Sequence, residues 1–177
     1  MGTGKGIDFA RDEHTEGIGA RVHRGDLNGA DRRFGIVVSR FNASWTEALL
    51  KGAVAALCAH GADIGKIEVA RVPGAFEIPL VIERWARQRR FDALIALGCV
   101  VEGETPHAEL IGRQVTRALS DAGIRHGCPV IDSVVTTRNE AQAAARCTDG
   151  RDGRGWYAGC AALEMADLVR RLEQAQR

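Results

Sequence analysis

From Phe34 onward, apolar and polar positions fall into two alternating rhythms. Short apolar runs read as buried strands: FGIVVS at 34–39, IEVARV at 67–72, FDALIALGCVV at 91–101 and PVIDSVVT at 129–136. Between them, apolar residues recur at helical spacing. The first such segment carries Leu49, Leu50, Val54 and Leu57; Ser44 or Thr46 is its expected cap and His60-Gly61 its end. An amphipathic helix is predicted from Pro79 to about Arg90, with Leu80, Ile82, Trp85 and Ala86 among its apolar members. Another runs from Leu110 to Ala122 and stops at Gly123. A short helix spans Asn139 to Arg146. A longer one runs from Gly155 to about Gln174, with Leu163, Met165, Ala166, Val169 and Leu172 facing inward.

Four repeats of strand and helix imply right-handed crossovers and an α/β fold: a four-stranded parallel sheet covered on both faces. Ligands of such sheets bind beyond the carboxyl ends of the strands. Four stretches fall there and are expected to meet in space: SRFNAS (39–44), RVPGAFE (71–77), GCVVEGETPH (98–107) and SVVTTRN (133–139).

Residues 1–33 break the rhythm. They are rich in glycine and charge and are expected to form a flexible arm ahead of one domain spanning 34–177. GTGKG within the arm fails the phosphate-loop pattern, because Lys5 is followed by Gly6 and no strand precedes it. The first twenty residues lack the apolar core of a secretory signal, and no run approaches the roughly 20 apolar residues that cross a bilayer. With 24 basic and 23 acidic side chains, charge gives no reason to expect nucleic acid or an anionic membrane as partner. Five cysteines without a C-x-x-C pair argue against a disulfide framework or structural zinc and for a reduced, cytoplasmic protein.

Within the strand-end stretches, several side chains carry chemistry. His107 carries an imidazole, a group able both to take and to give a proton, though a histidine at a helix start also serves as a surface or capping residue. Gly103, Glu104 and Thr105 precede a helix whose first N–H groups suit an anion; a plain capping loop with Thr105 as cap is the other reading. Pro73 to Glu77 lets a ligand approach the backbone, and Glu77 either accepts bonds from substrate hydroxyls or complements a helix dipole. Phe41 offers a stacking face or ordinary packing. Arg146 and the loop CTDGRDGRG (147–155), with Arg151 and Arg154, supply guanidinium forks for phosphate or merely solvated charge.

Five segments, SRFN (39–42), VPGAFEIP (72–79), ALGCVVEGETPH (96–107), PVIDSVVTT (129–137) and ALEMADL (162–168), resemble lumazine synthase, with VPGAFEIP and GETPH the most specific. The similarity runs from about Phe34 to Leu172. It implies a flavodoxin-like three-layer αβα sandwich and a homo-oligomer, a pentamer or an icosahedral shell, whose active sites lie between adjacent subunits. It implies condensation of 5-amino-6-(D-ribitylamino)uracil with 3,4-dihydroxy-2-butanone 4-phosphate to 6,7-dimethyl-8-ribityllumazine, without metal or organic cofactor. Carried over by position, Phe41 stacks on the pyrimidine ring. Ala75, Phe76 and Glu77 hold the ribityl chain and ring edge. Cys99, Val100 and Val101 line the pocket. Glu104 and Thr105 offer donors to the phosphate. His107 transfers protons, and Arg146 of a neighbouring subunit pairs with the phosphate.

This chain departs from the family at several of those places. Glu102 stands where a basic residue is usual, and Asp132-Ser133 replaces Phe-Gly in the pocket wall. Ala108 replaces an aromatic after the histidine, and two lysines of the loop become Gly150 and Arg154. A carboxylate at 132 beside a phosphate would weaken binding unless Arg151 or Arg154 pairs with it. These replacements motivate an alternative, a shell-forming or ligand-binding paralogue with weak or altered catalysis. A flavodoxin-like domain binding a redox flavin is a third reading.

Overall fold

The structure is a computed structural model, and it describes residues 19–175. Strands β1 (Phe34–Ser39), β2 (Ile67–Val72), β3 (Ala93–Val101) and β4 (Val130–Thr137) form one parallel sheet in the order β2-β1-β3-β4. Helices α1 (Ala43–Ala59), α2 (Ile78–Gln88), α3 (His107–His126), α4 (Glu140–Arg146) and α5 (Arg154–Gln174) complete it. This is the three-layer architecture expected from the sequence. The order reverses between β1 and β3, so the chain leaves these neighbouring strands in opposite directions and opens a crevice at their carboxyl ends.

β1 and the first seven residues of β3 are buried throughout, as strands covered on both faces must be. One apolar core joins Ile36, Val38, Ile95 and Leu97 to Leu49 and Leu57 of α1 and Leu163 of α5. The other joins Val37, Leu94 and Ala96 to Ile78 and Ile82 of α2 and Val115 and Leu119 of α3. Helices α1 and α5 touch almost backbone to backbone. A methyl group on Gly155 would lie 2.1 Å from the Leu49 carbonyl oxygen, and one on Gly159 would lie 2.7 Å from that of Ala53. Only glycine permits that approach.

Several helix ends differ from expectation. α1 is preceded by Asn42 in the left-handed conformation (φ 60°), rather than capped by Ser44 or Thr46; Thr46 is fully buried. A 3-10 turn, Ala75–Glu77, leads into α2, which starts at Ile78 and ends at Gln88 with Arg89 in the left-handed region. α3 begins at His107 and runs past Gly123 to His126, because Gly127 (φ 63°) closes it with an N–H bond to the Gly123 carbonyl. On α5, Leu163 and Ala166 face inward, but Met165 and Leu172 are 38% and 40% exposed.

Residues 1–18 of the expected arm lie outside the described residues. The part from 19 to 33 has no helix or strand, yet its second half is anchored. The backbone N–H groups of Asp26 and Gly29 donate to the Asp167 carboxylate (3.0 Å) and the His60 carbonyl (2.8 Å). Arg32 is buried and donates to Asp167 at 2.9 Å. Asp167, 1% exposed, also accepts from Arg170 and Arg171. Burial raises its pKa, but the Asp26 N–H and the two α5 arginines outweigh that and hold the carboxyl below its usual range.

Candidate functional site

A cavity of about 390 Å³ opens at the reversal point of the sheet. The turn after β1 contributes Phe41 and Asn42; the turn after β2 contributes Gly74, Ala75 and Phe76. The end of β3 supplies Cys99, Val100 and Val101. Beyond it come Gly103, Thr105 and the first turn of α3, with His107, Ala108 and Ile111. Phe41 and Phe76 are 71% and 62% exposed, two aromatic side chains facing solvent at one crevice. Such exposure of large apolar groups marks a surface meant to be covered.

Local chemistry explains the shape. Asn42 does not cap α1 with its side chain; it donates from Nδ2 to the Cys99 carbonyl at 3.0 Å and so ties the ends of β1 and β3 together. Glu77 does not line the cavity. Its carboxylate accepts the Gly74 N–H at 2.8 Å and closes the 74–77 turn whose residues do line it. Glu104 is likewise outside the lining, while Thr105 is within it. Pro106 holds the N-cap position of α3 and no side chain caps that helix, so Thr105 is not the cap that the sequence allowed. The first N–H groups of α3 therefore keep their donor capacity beside the cavity.

The thiol of Cys99 is buried. Its hydrogen bond with Cys147, together with burial, pushes its pKa far above the usual thiol range.

The expected residues Asp132, Arg146 and Arg154 are gathered elsewhere. With Ser133, Val134, Val135, Thr136 and Tyr157 they line a second cavity of about 270 Å³ on the β4 side. The two cavities have no lining residue in common. Among the described residues no arginine pairs with Asp132, although the sequence suggests that it would need one. Its carboxylate accepts from Thr116 Oγ1 of α3 at 2.7 Å and from the Val134 N–H at 2.9 Å. Ser133 Oγ donates to the Arg154 carbonyl at 3.4 Å, joining β4 to the start of α5. Arg146 donates to the Gln142 carbonyl at 3.3 Å from within its own helix.

Asn42, Ile111 and Tyr157 are lining residues that the residue-by-residue reading did not single out. Ile111 lies one helical turn after His107 and Tyr157 one turn after Arg154, so i to i+4 and i to i+3 spacing would have found them. A third hollow, about 360 Å³, lies at the amino ends of β3 and β4. Three of its polar lining residues are engaged within the fold: His126 with Glu83 (2.8 Å), Asp92 with the Arg33 N–H (2.7 Å) and Arg170 with Asp167.

Among the described residues no group of histidine, cysteine and carboxylate side chains is arranged to hold a metal ion. No helix among them is long and apolar enough to cross a membrane.

Comparison with known proteins gives a consistent result. Residues 31–170 match the profile of the family described as 6,7-dimethyl-8-ribityllumazine synthase. Two relatives bearing that name, from Clostridium kluyveri strains ATCC 8527 and NBRC 12016, are each 41% identical over 153 residues, covering 86% of this chain and 99% of theirs.

Proposed function

From its membership of the 6,7-dimethyl-8-ribityllumazine synthase family, we infer that this chain condenses 5-amino-6-(D-ribitylamino)uracil with 3,4-dihydroxy-2-butanone 4-phosphate. The amine adds to the ketone and loses water to give an imine. Phosphate is eliminated. The second nitrogen then closes the ring with loss of a second water, leaving 6,7-dimethyl-8-ribityllumazine.

The observation that carries the site assignment is the crevice at the β1/β3 reversal, where Phe41, the end of β3 and His107 share one cavity. Phe41 stacks on the pyrimidine ring, and the 74–76 turn, held by Glu77, receives the ribityl chain. Val100 and Val101 wall the ring. His107 moves protons between the reacting nitrogen, the carbonyl oxygen and the departing groups; an imidazole is suited to both directions. Phosphate lies at the start of α3, where Thr105 and the first N–H groups face it.

That cavity holds no arginine, whereas Arg146 and Arg154 line the other one. Each protomer on this reading carries two incomplete halves, and the pentamer that the family resemblance implies is a closed ring in which the arginine half of one protomer covers the crevice of the next. A complete site then has an aromatic floor, a proton carrier and two guanidinium forks for the phosphate. Asp132, engaged by Thr116 and Val134, stands in that wall without taking an arginine from the phosphate. The five free thiols fit a reducing compartment, and the reaction is assigned to the cytoplasm.

Mixing the purified protein with both substrates and following lumazine absorbance tests the reading. Product formation well above the uncatalysed rate is expected, and its absence would overturn the assignment. His107→Ala should slow turnover by about 10- to 100-fold or more, since one general acid–base group typically contributes about 100-fold upward. An unchanged rate would remove His107 from its role.

A further inference from the structure

The loop before α5 carries two arginines with different fates. Arg151 lies over Trp156, with its guanidinium carbon 4.9 Å from the ring centroid. Neither lines the second cavity. Arg154 lies over Tyr157 at 5.6 Å, and both line it beside Arg146 and Asp132. Two consecutive aromatic residues of α5 thus sort two nearby cations.

Arg154 is also poorly placed for helix stability. It is the first residue of α5, where the positive end of the helix dipole disfavours a cation. Its backbone is fixed from β4 by Ser133 Oγ, but its exposed side chain has many rotamers to choose from. The half-buried Tyr157 ring, one turn further along the same helix, is the flat surface on which the guanidinium settles. Asp132, the nearest anionic alternative in the cavity lining, takes its hydrogen bonds from Thr116 and Val134.

We propose that Tyr157 is a positioning residue: its ring holds the Arg154 guanidinium over the second cavity as a phosphate fork, while Trp156 draws Arg151 away from it. This rests on the reading of that cavity as the anion-binding half of the site. The ring, not the hydroxyl, does the positioning.

The test uses the full chain and four variants: Y157L, Y157F, R154A and R154A/Y157L. For each, kcat, KM for both substrates and competitive inhibition by inorganic phosphate are measured. Y157L should raise KM for the phosphate-bearing substrate and the inhibition constant of inorganic phosphate together, by about 3- to 10-fold, the range of a cation–π contact. KM for the pyrimidine should stay within about twofold on the same ground. Y157F should restore wild-type values, and R154A/Y157L should be no weaker toward phosphate than R154A. If R154A leaves phosphate affinity intact, the anion-half reading itself fails. If R154A weakens it but Y157L does not, only the role of Tyr157 fails. A Y157F defect as large as that of Y157L overturns the ring-based account. Should Y157L not fold, R154K replaces it. Lysine keeps the charge without the flat face, so the same selective loss toward phosphate is expected, and full retention would overturn the proposal.

Discussion

Asn42 shows what a single residue at this crevice has to do. It sits at φ 60°, a region that costs most side chains about 1 kcal/mol or more, and its amide spans to the Cys99 carbonyl. Asn42→Ala removes the bond and keeps the backbone demand. A loss of about 1–2 kcal/mol is expected, read as a drop in thermal midpoint of roughly 2–8 °C for a domain of this size. An unchanged midpoint would show that the β1–β3 tie is idle. Phe41 and His107 were legible in the sequence because their place after a strand already suggests exposure to a ligand. Asn42 and Glu77 were not. Both belong to quoted motifs, but their hydrogen-bond partners are set by the fold: the Cys99 carbonyl 57 positions away, and a turn whose 3-10 geometry the strand–helix pattern does not contain. Asp132 was harder still, since its partner Thr116 lies on a different element.

Among the elements, α5 binds the fold together. One of its faces meets α1 through Gly155 and Gly159, and near its end Asp167 gathers Arg32, Arg170, Arg171 and the Asp26 N–H. Asp167→Asn should cost about 1.5–3 kcal/mol near neutral pH, because the buried Arg32 would keep only its longer contact to Asp92 (3.5 Å). Urea unfolding checks this. The Asp167 carboxyl is held below its usual range, so its contribution is present above the unfolded-state value of about 4 and is lost as pH falls through the lower folded value. The gap between wild type and variant should therefore narrow below about pH 4 and stay constant from there to neutrality. A gap that persists undiminished at pH 2 would contradict the assignment. Cysteine placement gives a second check. Burial pushes the Cys128 and Cys160 thiols up to about 11, whereas Cys58 is exposed on α1. Iodoacetamide at pH 8 should label Cys58 well before those two, as peptide mass mapping would show; equal rates would mean that the helices do not shield them. Strand positions were read almost to the residue, because β1 and β3 are buried on both sides. Helix ends were read less well. In the sequence Gly123 reads as a stop, but packing against β4 accommodates it and Gly127 ends α3 instead. Met165 and Leu172 are apolar yet open, a choice that composition does not reveal.

For the whole molecule, the alternation of strands and helices was enough to predict the parallel sheet, and the reversal point then located the crevice. The strand–helix pattern alone does not show that its chemistry divides, although the family resemblance already places Arg146 on a neighbouring subunit. Arg146 and Arg154 belong to a cavity separate from that of Phe41 and His107, because β4 lies at the sheet edge beyond β3 and carries its lining residues with it. If the halves are joined between neighbours, two crippled proteins can rescue each other. Subunits of His107→Ala and Arg146→Ala, each with little activity, should regain about a quarter of the wild-type rate when dissociated, mixed in equal amounts and reassembled, the share of interfaces that draw both intact halves. No gain on mixing would mean that one protomer completes its own site.

The separation of the two cavities also bears on inheritance. If neighbouring subunits share their sites, then in a cell that makes normal and altered copies side by side, a copy altered in both cavities would disable the contacts on either side of it. Half the protein would be sound, yet only about a quarter of the junctions would be. Such an allele would act as a poison rather than a blank, and its severity would reveal how freely the copies mix during assembly.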